Sequence, residues 1–279
     1  MQYTAVPLER RNGLDGFQLK LIALVIMTID HIYYFGCSLT DMPEIMTLIG
    51  RIAAPIFVFF VTEGFVHTHS RGRYLLRLYI GGVLMQIGNL FVNICFPMQN
   101  GVIVLNGIFT TMAVIVIYLW WIENMRKAWC EHRRGCAVLY ALAMAALLLS
   151  IVPVQMLLPV SPLAVQLATI FVPSPVWCEG SVLIVLIVLI GIGFYYCRNS
   201  KRAIAIFYTV FLCAVLALQC LVAFDWEVVI SVFFMWLALP FILSYNGQRG
   251  RRMKYLFYLY YPVHVYILAI AASLLGRVW

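Results

Sequence analysis

The sequence predicts an all-α, polytopic transmembrane helix bundle, and three observations carry that prediction. The 279 residues are 64% hydrophobic and only 11% charged, with a mean hydropathy of +0.96, against roughly 25% charged residues in an ordinary soluble domain. The apolar residues gather into runs of mostly about 17–22, the length that crosses a hydrocarbon core of roughly 30 Å at 1.5 Å rise per residue. The basic residues fall in alternate gaps between those runs, as Lys and Arg do when they are retained on the cytoplasmic side.

Nine spans follow in order, at roughly 20–38, 48–66, 76–96, 102–122, 136–153, 181–197, 203–223, 227–243 and 256–275. The stretch 154–176 is apolar too, but Pro159, Pro162, Pro173 and Pro175 free too many backbone carbonyls for a lipid-exposed helix. It reads as a membrane-associated connection, with a re-entrant path open to it. No repeat, low-complexity tract or long linker divides the chain, so 1–279 is expected to be a single integral membrane domain.

Orientation follows from the cations. The gaps holding Lys20, Arg71–Arg77, Arg126–Arg134, Arg198–Arg202 and Arg249–Lys254, together with Arg10 and Arg11, contain 17 of the 19 Lys and Arg residues. Those gaps are assigned to the cytoplasm, which places the N-terminus inside and the C-terminus outside. The net charge of +8 is thereby explained by topology, and its dispersal over five short loops argues against a nucleic-acid partner. The first run, with Asp30 in its middle and no small-residue cleavage site after it, does not read as a cleavable signal peptide. The eight cysteines form no CxxC pair and read as small buried hydrophobes; a disulfide among Cys37, Cys95 and Cys178, on the outer side, stays open.

Residue counts then become depths. Asp30 lies ten residues beyond Lys20, and His264 ten beyond Lys254 on a helix running the same way, so both sit about 15 Å from the inner edge. Helices one and nine are expected to bring Asp30, His31 and His264 together, because an Asp at midplane costs about 2.5–3.5 kcal/mol unless it faces a partner. Adjacent helical residues point about 100° apart, so either His31 or Asp30 is left free to meet His264. Arg51 stands about 24 Å up, sixteen residues from His67, and Pro55 offers no N–H to its carbonyl. At the inner end of that span Glu63 precedes Gly64, and His67, His69, Arg71, Arg73 and Arg77 follow, a turn suited to an anion. Asn106 and Thr110 in LNGIFTT, four apart, are expected to share a helix face. Asn246–Gly247 marks a tight turn before four cations and a cluster of tyrosines, and Pro262 is expected to kink the last helix beneath His264.

Each signal has a plain structural counterpart. Asp30 and His31 would serve as a polar contact between helices, Arg51 would snorkel to headgroups, and the arginines would set topology. The tyrosines would form an interfacial belt, Asn106 and Thr110 would bridge helices, and His132 would be a solvated loop residue. A metal site lacks the ligand spacing it needs, and no metal is expected. In depth order, however, the polar residues describe a track from the cytoplasmic loops through the midplane to the outer third.

The blocks KLIALVIMTIDHI, IGRIAAPIFVFFVTEGFVHT, RYLLRL, NGIFTT, SYNGQRG and KYLFYLYYPVH, in that order, resemble the TraX family of bacterial inner-membrane proteins. They span roughly 19–111 and 244–268, a little over 40% of the chain. The family's founding member is associated with N-terminal acetylation of conjugative pilin, and the family is similar to membrane acyltransferases that use cytoplasmic acetyl-CoA. By position, the resemblance marks Asp30, His31, Arg51, Pro55, Glu63, Gly64, His67, Thr68, Arg77, Asn106, Thr110, Asn246, Gly247, Tyr255, Tyr258, Pro262 and His264. It departs at WCEGS, residues 177–181, where an Asp-containing, Gly-rich lead-in to the sixth span is expected; Glu179 is the candidate substitute.

The resulting expectation is a multi-pass acetyltransferase of the bacterial cytoplasmic membrane, compatible with a homo-oligomer. It would pass acetyl from acetyl-CoA to an amine or hydroxyl on a pilin-like peptide N-terminus or a surface glycan. His31 is the expected base, with Asp30 in support and His264 as second acid/base or orienter. Arg51, Asn106, Thr110, Glu63 and Tyr258 would meet substrate, and Arg71, Arg73, Arg77, Asn246, Arg249, Lys254 and Tyr255 would hold CoA. The alternatives are a proton-coupled transporter, which the missing half-repeat disfavours, and a non-catalytic pilus or surface assembly factor.

Overall fold

The computed structural model describes residues 12–37, 39–98, 103–157, 159–178, 184–222, 224–251 and 253–276, without the side chains of Pro162 and Lys254. Thirteen α-helices and one 3₁₀ turn are present among these residues. They are α1 (Gly16–Gly36), α2 (Ile45–Gly50), α3 (Ala53–His67), α4 (Arg71–Cys95), α5 (Ile108–Cys130), α6 (Arg134–Leu149) and α7 (Ile151–Leu157). They continue as α8 (Pro162–Thr169), the 3₁₀ turn Pro175–Trp177, α9 (Ile184–Cys197), α10 (Lys201–Val222), α11 (Trp226–Trp236), α12 (Ala238–Ser244) and α13 (Lys254–Gly276).

Eight of the resulting stretches are long and apolar enough to cross a membrane, with α2–α3, α6–α7 and α11–α12 each forming one. The expected sixth span appears as the shorter apolar helix α9, 14 residues long; residues 179–183 before it lie outside the described set. The helical bundle agrees with the fold class read from sequence, and its many apolar helices mark a membrane protein.

α3 and α5 are the most deeply buried spans, and α9 packs against both. α6, α10 and α11 surround them with outward-facing residues such as Leu142, Ile206, Val210 and Phe233, the lipid-facing pattern of an outer helix.

α1 starts at a capping box: the Asp15 carboxylate accepts from the Phe17 and Gln18 amides, and Gln18 Oε1 accepts from the Asp15 amide. The segment before it is stitched to the loop after α12. Leu14 N–H donates to the Ser244 carbonyl (2.9 Å), Asn246 N–H to that of Leu14 (3.0 Å), and Gly16 N–H to that of Gln248 (2.8 Å). Gly247, at φ +81°, makes the turn the sequence announces. These bonds set the starts of α1 and α13 at one level. The helices then run parallel, with Phe17 edge-on to Phe257, Thr28 bonded to Tyr260 and His31 to His264.

Three expectations are corrected. The fourth span begins at Ile108, not 102, because 103–107 is non-helical; Asn106 and Thr110 therefore do not share a helix face. The fifth span continues through α7 to Leu157 despite Pro153. After α8, the Pro-rich connection folds back to bury Ser174–Cys178 against the head of α5. A Cβ on Gly107 would collide with the Trp177 carbonyl. The second span also breaks at Arg51–Ile52, whose amides bond back by three residues to Leu48 and Ile49. Pro55 then falls in the first turn of α3, where its missing N–H is tolerated.

The charge-derived orientation predicts that alkaline phosphatase fused after Gly276 is active, whereas a fusion after Asn246 is not. The reverse pattern would invert the topology.

Candidate active site

The parallel register of α1 and α13 brings two imidazoles into contact in the bundle interior. His31 Nδ1 lies 2.7 Å from His264 Nε2, and both residues are buried. His264 Nδ1 lies 2.8 Å from the Tyr260 carbonyl. A carbonyl only accepts, so Nδ1 of His264 carries the hydrogen and its Nε2, in a neutral ring, is a lone pair. His31 Nδ1–H therefore donates to His264 Nε2, leaving His31 Nε2 as the open acceptor of the couple. Asn106 Nδ2 donates to it across 2.9 Å. The chain of donors runs from Asn106 to His31 to His264 to the Tyr260 carbonyl. A second bond braces the pair, because the Thr28 hydroxyl donates to the Leu24 carbonyl and so accepts from Tyr260 (2.9 Å). Thr28 and His31, three apart, and Tyr260 and His264, four apart, form the facing surfaces.

Asn106 reaches His31 because its backbone is held outside the helix by α4. Asn93 clamps Val104 from both sides, donating to its carbonyl (3.1 Å) and accepting from its amide (2.8 Å). One turn earlier, Asn89 Nδ2 donates to the Asn106 carbonyl (2.9 Å), while Tyr266 of α13 donates to Asn89 Oδ1 (3.2 Å). Side-chain amides thus supply the backbone partners that an irregular segment lacks inside a bilayer. Asn89 and Asn93 were missed in the sequence; their four-residue spacing in an apolar helix is the signal that could have revealed them.

Asp30 faces another way. It packs on α2, where its carboxylate meets the Thr47 side chain within the field of Arg51, and a Cβ on Gly50 would collide with it. Of the two arrangements left open, His31 rather than Asp30 meets His264. Arg51 is exposed at the α2–α3 break, and Thr110 is buried against Gly82 of α4.

Below the couple, a cavity of about 640 Å³ opens between α1, α3, α4, α5, α13 and the loop after α12. Its volume lies within the ligand-pocket range of roughly 300–1,000 Å³. Lys20, Arg77, Arg249 and Arg251 line it with Glu63, His67 and His69, all on the face assigned to the cytoplasm. Its inner part is apolar, with Leu24, Val61, Leu78, Ile108, Phe109 and Met112. Tyr261 belongs to this inner end and lies edge-on to both imidazoles, with ring centroids 5.9 Å from His31 and 5.4 Å from His264. The cavity thus reaches to one ring's distance from the couple.

Of the residues expected to hold CoA, Arg77 and Arg249 line the cavity, as do Glu63 and Tyr258 from the substrate set. Tyr258 stacks on Phe109 at 5.6 Å and lies beside Arg77. Lys20, read in the sequence only as a topology marker, projects into the cavity over the rings of Phe60 (4.8 Å) and Phe257 (5.9 Å). Arg71 is engaged elsewhere: it pairs with Glu123, which also accepts from Tyr195, and its guanidinium lies over Phe65. Asn246 shapes its own turn, donating to the Gly13 carbonyl (3.2 Å) and accepting from the Gln248 amide (2.8 Å). Arg73 and Tyr255 are exposed and do not line the cavity. The Lys254 side chain and Glu179 lie outside what the structure describes.

The fold and this site define a polytopic helical membrane protein with a buried imidazole couple and a cationic cavity beneath it. The chain belongs to the TraX family, whose profile, described as TraX protein, matches residues 15–272. It is similar to a "Probable fimbrial assembly protein FimC, serogroup H1" of Dichelobacter nodosus, 27% identical over 275 residues, covering 96% of this chain and 100% of that protein. It is also similar to "Uncharacterized protein RP591" of Rickettsia prowazekii (strain Madrid E), 42% identical over 69 residues, 25% of each chain. No solved structure matches it at a significant level.

The clamp makes a stability prediction. Asn93→Ala leaves both polar groups of Val104 unpaired and is expected to cost about 1–3 kcal/mol, seen as a lower unfolding midpoint in detergent; an unchanged midpoint would show that the clamp is dispensable.

Proposed function

We propose that this protein is an acetyltransferase embedded in the bacterial cytoplasmic membrane, moving the acetyl group of cytoplasmic acetyl-CoA to an amine or hydroxyl acceptor. The observation that carries the reading is a hydrogen-bonded imidazole couple separated by one tyrosine ring, Tyr261, from a cationic cavity. Within the couple only His31 Nε2 is left as a lone pair not engaged by the partner ring, and it is met by the Asn106 amide alone, an arrangement that suits general-base chemistry. The cavity suits a long polyanionic donor. The CoA phosphates would rest among Lys20, Arg77, Arg249 and Arg251, and the pantetheine arm would lie in the apolar inner part. The thioester would then reach the Tyr261 ring.

The acceptor X–H would lose its proton to His31 Nε2 as X attacks the thioester carbon. The C–S bond then breaks, and the proton passes to the leaving sulfur as free CoA departs. Asp30, turned to Thr47 and Arg51, would support the outer end of α1 rather than handle this proton. Similarity to a Dichelobacter protein named for fimbrial assembly favours a pilin-like peptide N-terminus over a glycan as acceptor.

Purified His31→Ala and His264→Ala proteins are expected to lose acetyl transfer by about 10²–10⁴-fold, with folding checked by gel filtration. Turnover at the wild-type rate in both would remove the assignment. Arg77→Glu is expected to raise the KM for acetyl-CoA about tenfold or more, whereas Arg73→Glu, outside the cavity, leaves it near wild type. Equal effects would move the CoA site elsewhere. The same relative's name favours a second reading, a non-catalytic assembly factor. Normal surface-appendage assembly with both histidines replaced would support it.

A further inference from the structure

The Asn106 carboxamide has one group in use and one idle. Its Nδ2 donates to His31 Nε2, while its Oδ1 is buried with no hydrogen-bond partner among the described residues. An unpartnered buried oxygen is unusual in a native structure and invites an explanation. The proton accounting of the couple supplies one. The neutral pair holds two N–H groups, both committed: His264 Nδ1–H to the Tyr260 carbonyl and His31 Nδ1–H to His264 Nε2. A third proton can enter without breaking either bond only at His31 Nε2, where it would confront the Asn106 N–H. The oxygen that would welcome it sits idle on the same carboxamide.

We propose that Asn106 is a two-position partner of His31, its N–H meeting Nε2 while the couple is neutral and its oxygen replacing it once the couple gains a proton. The backbone holds still while the amide turns. Asn89 grips the Asn106 carbonyl, Asn93 grips Val104, and the Trp177 carbonyl closes over Gly107. Rotation about the terminal side-chain bond is the motion that remains, and that torsion is broad. The other titratable groups near the couple are Tyr260 and Tyr261 of α13, with Asp30 and Arg51 on the α2-facing side of α1. Tyr266, bonded to Asn89, joins α13 to α4 behind Asn106.

This deepens the acetyl-transfer reading and takes its catalytic meaning from it. The proton that leaves X–H as the X–C bond forms would be held on the couple by an N–H to Oδ1 bond, then handed to the sulfur as the C–S bond breaks. Asn106 would thereby favour the charged state during the reaction and the neutral state before it.

The test is ¹⁵N-histidine NMR of the purified protein across pH, with the couple's signals assigned from His31→Gln and His264→Gln. The sign of the effect decides. A carboxamide that only donates to the neutral ring protects the lone pair, so its removal would make the couple easier to protonate. One that turns over contributes a charge-assisted bond to the cation, stronger than the neutral bond it gives up. Asn106→Leu is therefore expected to move the titration midpoint down by about one unit, a tenfold loss of proton affinity. Asn106→Ala, with less bulk, should move it the same way, and Asn106→Thr, whose hydroxyl both donates and accepts, should restore most of it. A midpoint that rises or stays put in the leucine and alanine proteins overturns the proposal. The titration needs no acetyl-CoA: a wild-type protein that transfers no acetyl would sink the enzymatic reading and leave the NMR result to judge Asn106 alone.

Discussion

The bond from His31 to His264, 2.7 Å between ring nitrogens, constrains everything around it. Two imidazoles buried in an apolar bundle are tolerable when every N–H and lone pair is met, and costly when one is not. Interhelical hydrogen bonds of this kind are modest, about 0.6 to 2 kcal/mol in membranes. Specificity is therefore the larger consequence: α1 and α13 must run parallel, in one register and at one depth. The Thr28–Tyr260 bond repeats that register a turn below, and the stitching of Leu14 and Gly16 to the loop after α12 sets it at the starts of the two helices.

The couple also divides the molecule into two differently built halves. Beneath it, helix ends diverge into a cavity rimmed by cations and walled by aromatic and aliphatic side chains. Above it, the chain closes in: the non-helical segment 103–107 is held by side chains of α4 and capped by the returning loop at Trp177. A hydrated anion can approach from the first side, while the second side presents a carboxamide on a firmly held backbone. Tyr261 and Asn106 are the two groups nearest the couple on these opposite approaches, and they differ in kind: one is a ring in the way, the other a hydrogen-bond partner.

Much of this was legible in the sequence, for reasons of periodicity and counting. The spans followed from apolar length, and the meeting of α1 with α13 followed from equal distances of Asp30 and His264 from Lys20 and Lys254. Which of Asp30 and His31 faces inward was not legible, because it depends on α2 packing through Gly50 onto the Asp30 face. Asn106 was found for a mistaken reason: spacing suggested a helix face shared with Thr110, whereas long-range side-chain bonds from Asn89 and Asn93 hold it outside the helix. Lys20 and Arg71 exchanged roles for a similar cause. One projects over two phenylalanines into the cavity, and the other is captured by Glu123 from a helix about fifty residues away. No local pattern reports either contact.

The most direct measurement of the central claim is the scalar coupling across the hydrogen bond between the two histidine nitrogens, by solid-state NMR of ¹⁵N-histidine-labelled protein in lipid bilayers. A resolved nitrogen–nitrogen coupling between His31 Nδ1 and His264 Nε2, lost when either residue is replaced, is the expected result. Independent rings with no coupling, or a bond from His264 to Asp30 instead, would contradict the arrangement on which the rest stands.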